Sequence, residues 1–577
     1  MPMSVSRQAT LRDWARRHIL AITLAIAAAF TIGCALRMGW QPLSTDENDF
    51  FLAMAYWPEW RKIIPHPHLY VHWAQLLLSI FGATVEAARL SVLIPHLLTL
   101  PLLAWLARLL YHNMPGRLNW QTIALVAIGL YALNPLIVQN SVLIDIDNGL
   151  LTTALTALLC LWLALRRRSP VMRVFVLSIG FAICLWIKLP TPPMLAAALI
   201  AGEIARRNWR EAGIAATFTA GGAALFAVLH TVYGWFTGYT LADASAALVG
   251  RSSGVGEALS QAPNHFIQTS GVMVFWLGLP IALLGLLTFW DSAQRWARRQ
   301  INDTDIALLY VVGVFAFYGT MIVPAWGYPR YHTPALPVLM VIIAAWVSRQ
   351  IRQPGCVLSR IALPIMLGGT LYMLFIVGDP MYDIYRATFE TTVLAERLRI
   401  GGLAMARLAL PMALVIGLGF TLAHRVRMTR TALLAGGLAA LTLGSYLATD
   451  LVQVTAEYST RYRYTYRYAD RAQATAAVRT NVPPGGYSLT DKDLLWYAGR
   501  PGDQIYPYLG NPDLLKTTLR ARRVDVIAWA QKERLKATAL NADAEALAIL
   551  EQCYRSQRFG VFTVLTRAGP TPCLGIQ

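Results

Sequence analysis

Charge is scarce in this sequence. Only 14% of the 577 residues are Asp, Glu, Lys or Arg, while 56% are hydrophobic. A soluble chain of this length divides into several domains with far more charged surface, so that class is excluded. Acids are scarcer than bases, 31 against 50, which leaves a net charge of +19. Gathered into one patch, that excess would suit nucleic acid. Instead the arginines sit in short clusters between apolar runs, a topology signal and an attraction to anionic headgroups. Nucleic acid is therefore set aside as a partner, and membrane lipids are expected. Cysteines number six. Cys34, Cys160 and Cys184 fall inside apolar runs as packing residues, and Cys356 falls in a basic turn. Cys553 and Cys573 lie near the C-terminus, where spacing alone leaves a disulfide open. No CxxC, HExxH or GxxxxGK pattern occurs, so a dedicated zinc site or nucleotide chemistry has no support.

What the chain does have is apolar runs long enough for a bilayer core. Arg7, Arg12, Arg16 and Arg17 precede the run Ile19–Leu36. The run is long and no small-residue cleavage site follows it, so it reads as an uncleaved first span with residues 1–18 in the cytoplasm. About twelve more spans follow, roughly 87–110, 121–138, 150–165, 171–187, then from 189 to the arginines at 206–210, 212–233, one ending at Arg295, 306–323, one ending at Arg349, 361–377, one ending at Arg425, and 431–448. This count places Arg166-Arg167-Arg168, Arg206-Arg207, Arg298-Arg299 and Arg349 on one side, as the positive-inside rule requires. The acid-bearing turns fall on the other. The fold expected is an all-α polytopic membrane bundle of about 13 transmembrane helices over residues 19–449, with an acidic outer loop at 37–86. In that loop Phe50–Trp57 and Leu69–Phe81 are expected as helices lying in the interface.

Residues 450–577 change character. Polar residues return, and Pro483-Pro484-Gly485-Gly486 and Arg500-Pro501-Gly502-Asp503 are turn signals. Val524–Trp529 and Phe559–Leu565 read as short strands, Asp513–Arg522 and Ala542–Cys553 as helices. A small α/β domain outside the membrane is expected. It opens on tyrosines from Tyr458 to Tyr468 interleaved with arginines, read as an amphipathic edge docking the domain or as a collar at headgroup level.

Chemistry collects at the outer turns. Asp46, Glu47, Asp49, His66, His68, Asp145, Asp147, Lys188, Arg330 and Tyr331 come from five separate turns of one face. Taken singly, Lys188 could snorkel to headgroups and Asp145 and Asp147 could be hydrated turn residues. Taken together, they are the constellation that a helical scaffold assembles from loops. A transporter or flippase would instead place ionisable groups at broken helices near the midplane, within an internal repeat. A scaffold or sensor would leave Asp46, Lys188 and Arg330 without a joint task.

At these residues the sequence resembles a known family. Asp46-Glu47 after the first span is similar to the acidic loop of the GT-C membrane glycosyltransferases, specifically the protein O-mannosyltransferases and the lipid A aminoarabinose transferase. His66-Pro67-His68-Leu69-Tyr70 leading to Phe81-Gly82 resembles their His-Pro-Pro-Leu-Tyr segment. Asp147-Asn148-Gly149 matches their second acidic turn. Lys188 precedes a proline-containing span as their lysine does, and Arg330-Tyr331-His332-Thr333-Pro334-Ala335-Leu336-Pro337 resembles their Arg-Tyr-x-x-Pro-x-x-Pro signature. Phe50 and Phe51 replace a usual tyrosine and His68 a usual proline, which leaves the substrate open.

The resemblance implies an inverting transferase that moves a sugar from a polyprenyl-phosphate donor to a lipid, glycan or protein acceptor. It implies Asp46 as base and Glu47 as its partner, with Lys188, Arg330 and Tyr331 on the donor phosphate. His66, His68, Tyr70, Asp145 and Asp147 would position substrate. No cofactor is required; the resemblance leaves room for a divalent cation among Asp46, Asp145 and Asp147. The alanine- and arginine-rich composition points to a bacterial inner membrane, with the C-terminal domain periplasmic.

Overall fold

The computed structural model describes residues 21–35, 38, 50, 53–55, 57, 64, 66–82, 84–112, 119–245, single positions and pairs between 262 and 277, 278–321, 330–352, 468–491, 494, 498, 502–530, 538–560 and 562–569. Two compact units separate: Met1–Trp40 with Ala53–Gln453, and Gln41–Leu52 with Val454–Gln577. The last three expected spans, the acidic residues Asp46, Glu47 and Asp49, most of the tyrosine–arginine stretch and Cys573 lie outside the described residues.

The first unit is helical. In chain order it holds α1 (Ala21–Ala35), α2 (Leu69–Phe81), α3 (Val85–Tyr111), α4 (Trp120–Ala132), α5 (Pro135–Asn140), α6 (Gly149–Ala164), α7 (Pro170–Ile187), α8 (Pro192–Ala205), α9 (Trp209–Thr237), α10 (Leu279–Ala297), α11 (Asp303–Met321) and α12 (Leu336–Arg352). Among the described residues six helical stretches are long and apolar enough to cross a bilayer, including a Pro-broken one from Arg330 to Gln350. Local signals set the boundaries. Thr84 caps α3 by accepting from the Ala87 N–H at 3.1 Å, and Ser169 with Pro170 opens α7. The expected third span is two helices. Asn134 accepts from the Leu136 N–H at 3.0 Å and Pro135, which has no N–H to give, starts α5.

Exposure sorts these helices. In the Arg330–Gln350 stretch 89% of an 18-residue window is buried inside the protein, against 33% in α9, so α12 is a central helix and α9 a peripheral one. Along α9, Trp209 stands exposed near one end and Trp235 and Phe236 near the other. Their spacing of 26 residues spans about 39 Å of helix, the separation of two aromatic belts. Small residues let backbones close up. A Cβ at Gly149 would strike the Val92 carbonyl on α3, and one at Gly222 would come 2.7 Å from the Ser178 carbonyl on α7.

One end of the bundle is tied by arginines. Arg166, beyond α6, reaches Glu203 at 2.8 Å and Asp303 at 2.6 Å, and Arg206 reaches Asp303 at 2.6 Å. Arg173 pairs with Glu211, and Arg295 with Asp305 at 2.5 Å. The ends of α6, α8 and α10 and the starts of α7, α9 and α11 therefore meet at one level.

The second unit is a five-stranded sheet in the order β2-β1-β3-β5-β4, with β1 (Ser488–Thr490), β2 (Gly502–Gln504), β3 (Val526–Ala530), β4 (Tyr554–Phe559) and β5 (Phe562–Arg567). The first three are parallel, joined through helices that include Tyr506–Gly510 and Pro512–Ala521; β5 runs antiparallel to β3 and to β4. Leu489, Ile505, Leu515, Ile527 and Ile549 fill the core on one face and Ala474, Val478, Val526 and Val564 on the other. The expected strand Phe559–Leu565 contains a turn instead. Gly560 takes φ 54° and Phe559 pairs with Phe562, which makes a two-residue hairpin.

Candidate active site

Opposite the arginine-tied end, three turns converge. The turn between α5 and α6 is built from its own side chains: Asp145 Oδ1 accepts from the Asp147 N–H at 2.9 Å, and Asn148 donates to the Leu143 carbonyl at 3.0 Å. Thr152, in the first turn of α6, donates to the Asp147 carbonyl at 3.0 Å. These bonds hold both carboxylates buried, so they are not the hydrated turn residues that the sequence alone allowed. Lys188 caps α7 in extended conformation and precedes Pro190, Pro192 and Pro193, which oppose continuation of the helix. Arg330 opens a 3-10 turn, Arg330–Ala335, that leads into α12.

Lys188 Nζ pairs with Asp147 Oδ2, both groups almost fully buried. Arg330 Nη1 lies 2.9 Å from Asp145 Oδ2, and its Nη2 donates to the Tyr331 hydroxyl at 3.2 Å. The Tyr331 ring joins the two pairs: Lys188 Nζ lies 4.4 Å from its centroid and the Arg330 guanidinium carbon 5.1 Å. Two cations thus stand over one aromatic ring with one carboxylate for each, a formally neutral set that suits a low-dielectric site. Burial pushes the Asp147 carboxyl up to about 6, against the pull of Lys188. For Lys188, burial is the largest influence and favours the neutral form, but Asp147 together with Tyr318, Tyr331 and Asp145 outweighs it and the net direction is upward.

Sequence reasoning missed the support behind this ring. Tyr318 of α11 stacks on Tyr331, centroids 5.2 Å apart at 16°, and shares a hydrogen bond of 2.7 Å with Thr191. Asn140 donates to the Thr333 hydroxyl, tying the end of α5 to the Arg330 turn. Tyr318 sits in an apolar run and carries no motif, so only its spatial neighbours reveal it.

His66, His68 and Tyr70 are placed around α2 in other company. His68 Nδ1 and His72 Nε2 both contact the Tyr233 hydroxyl, at 3.1 and 2.8 Å, and Trp57 packs edge-on against both rings. The Tyr239 hydroxyl donates to the carbonyls of Ile64 at 2.7 Å and His66 at 3.1 Å. Tyr70 is buried with its hydroxyl 3.0 Å from that of Ser91, a contact between α2 and α3. Trp186, two residues before Lys188, lies edge-on to Tyr233 at 6.1 Å and so links the two groups along α7. Among the described residues no group of three His, Cys, Asp or Glu side chains could hold a metal ion. Asp46 and Glu47 lie outside the described residues.

No protein-family model and no curated protein matches this sequence. Solved structures do match. ArnT from Cupriavidus metallidurans bound to undecaprenyl phosphate superposes with a TM-score of 0.58 at 13% identity, covering 95% of this chain and 99% of that one. Its apo state gives the same figures. The oligosaccharyltransferase of Archaeoglobus fulgidus tethered with an acceptor peptide matches at a TM-score of 0.45 and 11% identity, covering 96% of this chain and 75% of that one. The chain shares the fold of that ArnT structure. Within that fold, the Asp145–Arg330 and Asp147–Lys188 pairs occupy one end of the bundle, where the turns between helices meet.

Proposed function

We propose that this chain is a membrane glycosyltransferase that moves a sugar from a polyprenyl-phosphate carrier to an acceptor hydroxyl or phosphate, with inversion at the anomeric carbon. The observation that carries the proposal is the pair of cations, Lys188 buried and Arg330 partly buried, on one tyrosine ring at one end of a bundle with the fold of ArnT. A phosphate is a good leaving group that gains negative charge as its bond to the sugar breaks. Cations held in place there stabilise the transition state more than the ground state. Arg330 offers a planar fork to two phosphate oxygens and Lys188 a point charge. The acceptor oxygen attacks the anomeric carbon from the opposite face and gives its proton to a carboxylate, as the carbon–oxygen bond to the phosphate breaks. In this reading Asp46 is that base and Glu47 orients the acceptor. Asp147 sets the lysine and Asp145 the arginine. The reading places the reaction at the outer face of a bacterial inner membrane.

The test is mass spectrometry of glycolipids and glycoproteins from cells carrying the wild type, Asp46→Asn, Lys188→Met or no copy. A sugar present with the wild type and lost from the other three supports transfer and names the product. An unchanged glycan profile in the deletion, with no polyprenyl-linked precursor accumulating, rejects the proposal. Full transfer by Asp46→Asn removes that residue from the role of base.

A further inference from the structure

The arginine-tied end of the bundle holds an open cleft, about 40 Å³ within its walls, between the ends of α3, α10, α11 and α12. Arg295 and Arg349 stand at its rim, Tyr111 and Thr304 line one side, and Trp346 and Ile342 another. Thr288 and Ile342, which also line it, each precede a rim arginine by seven residues, so the floor lies about 10 Å below the rim. We propose that this cleft binds the phosphate headgroup of an anionic phospholipid, at the opposite end of the bundle from Lys188 and Arg330.

Three observations carry it. First, the two arginines differ. Asp305 accepts from Arg295 Nε at 2.9 Å and Nη2 at 2.5 Å, and also from Ser292 at 2.7 Å and the Asn302 N–H at 2.9 Å. Arg295 is thereby a fixed post. Arg349 is 41% exposed and its only carboxylate contact among the described residues is a long one, 3.5 Å to Asp291. Its fork can turn to a phosphate, with Asp291 as competitor. Second, Trp346 lines the cleft, and its buried indole Nε1–H has no acceptor among the described residues, an unfavourable state that an anionic oxygen in the cleft would relieve once the ring turns to bring the N–H to it. Third, the cleft opens at the level where helices end in arginines. On α10, Leu286, Phe289 and Trp290 are exposed as lipid-facing residues are. A cationic rim beside lipid-facing side chains fits a phosphate carried on a lipid, with the glycerol and acyl chains outside the cleft, better than a free ion. This lipid site is independent of the transferase reading.

The full chain, purified in detergent, is titrated with phosphatidylglycerol, with phosphatidylcholine of the same acyl chains, and with inorganic phosphate, and bound molecules are counted by native mass spectrometry. Phosphatidylglycerol is expected to be retained preferentially at one site. Arg349→Ala should cut that retention about fivefold, the effect of one basic residue near an anionic surface. Trp346→Phe, which keeps the ring but removes the N–H, should weaken it about fivefold, the worth of one hydrogen bond. Asp291→Asn should strengthen it, and Arg168→Ala, an exposed arginine elsewhere at the same end, should leave it unchanged. Equal retention of the two lipids by the wild type overturns the proposal. So does retention unaffected by both Arg349→Ala and Trp346→Phe. Binding of inorganic phosphate with the same dependence on variants, and no preference for either lipid, overturns the lipid as ligand.

Discussion

Replacing Lys188 by Met tests the electrostatics of the cluster separately from its chemistry. Lys188 and Asp147 are both nearly inaccessible, and the second carboxylate oxygen of Asp147 has no hydrogen-bond partner among the described residues. Removing the ammonium therefore leaves a buried charge with neither oxygen engaged by a side chain. Breaking a buried pair from one side costs about 3–5 kcal/mol, whereas replacing both partners by apolar groups of similar size is neutral or favourable by about 1–4 kcal/mol. Lys188→Met should accordingly lower the midpoint of thermal unfolding in detergent, and Lys188→Met with Asp147→Leu should restore it to the wild-type value or above. The assay is the soluble fraction surviving a temperature series on size-exclusion chromatography. Transfer of sugar in membranes is measured on the same samples. A double variant as unstable as the single one would refute the pairing. A stable double variant that still transfers sugar at the wild-type rate would keep the pairing and remove Lys188 from the donor phosphate.

Asp147 also gives a pH dependence. Its folded carboxyl is pushed up to about 6 from an ordinary value of 3.8. The folded chain therefore binds a proton that the unfolded chain has released between those values, so this stabilising contribution is full below the lower value and lost as pH rises through the higher. Asp147→Asn should flatten the pH dependence of the unfolding midpoint across that window, read in the same chromatographic assay. Gly149→Ala places a methyl against the Val92 carbonyl, a backbone group that moves only if α3 or α6 shifts. Overpacking of this kind costs about 1–3 kcal/mol, and because Gly149 follows Asp147 by two residues, transfer should fall along with the unfolding midpoint. At the other end, Glu203→Ala leaves Arg166 and Arg206 sharing Asp303 alone. Both arginines keep some access to solvent, so the loss should be about 1–3 kcal/mol, with a lower midpoint but little change in transfer per folded molecule.

The parts legible in the sequence were those with a strong local cause. Ser169-Pro170 opens α7, Asp147-Asn148-Gly149 opens α6 and Leu69–Phe81 is a helix as its pattern predicts, because caps, prolines and apolar period act within a few residues. The convergence of Asp145, Asp147, Lys188, Arg330 and Tyr331 was legible only because the spans return each turn to the same end. Three features were not legible. Asn134-Pro135 read as the end of a span, yet the same capping chemistry starts a further helix. In the C-terminal unit, β1 and β2 have three residues each, too short for alternation to register, and the turn at Gly560 is hidden inside an apolar run. Tyr318 is indistinguishable in sequence from a core aromatic; its role against Tyr331 exists only once α11 and the Arg330 turn are packed together.

Both ends of the bundle solve one problem in different ways. A charged side chain near hydrocarbon must be paired or face water. At the arginine-tied end the partners are shared: Asp303 serves two arginines and Glu203 the same two, which fixes helix ends. At the other end each cation has its own carboxylate, and the two pairs meet only through the Tyr331 ring. The second arrangement keeps two positive charges within about 5 Å of one ring without requiring a ligand to neutralise them. It also divides their duties. Lys188 is 2% exposed in its side chain and Arg330 16%. In the proposed reading, Arg330 is the cation that an arriving phosphate meets, and its contact with Asp145 is the one that loosens. Lys188, sealed behind the ring, adds a field that does not move. On that reading the site would admit an anion with little rearrangement, since one guanidinium would exchange a carboxylate for a phosphate while the rest of the cluster stays in place.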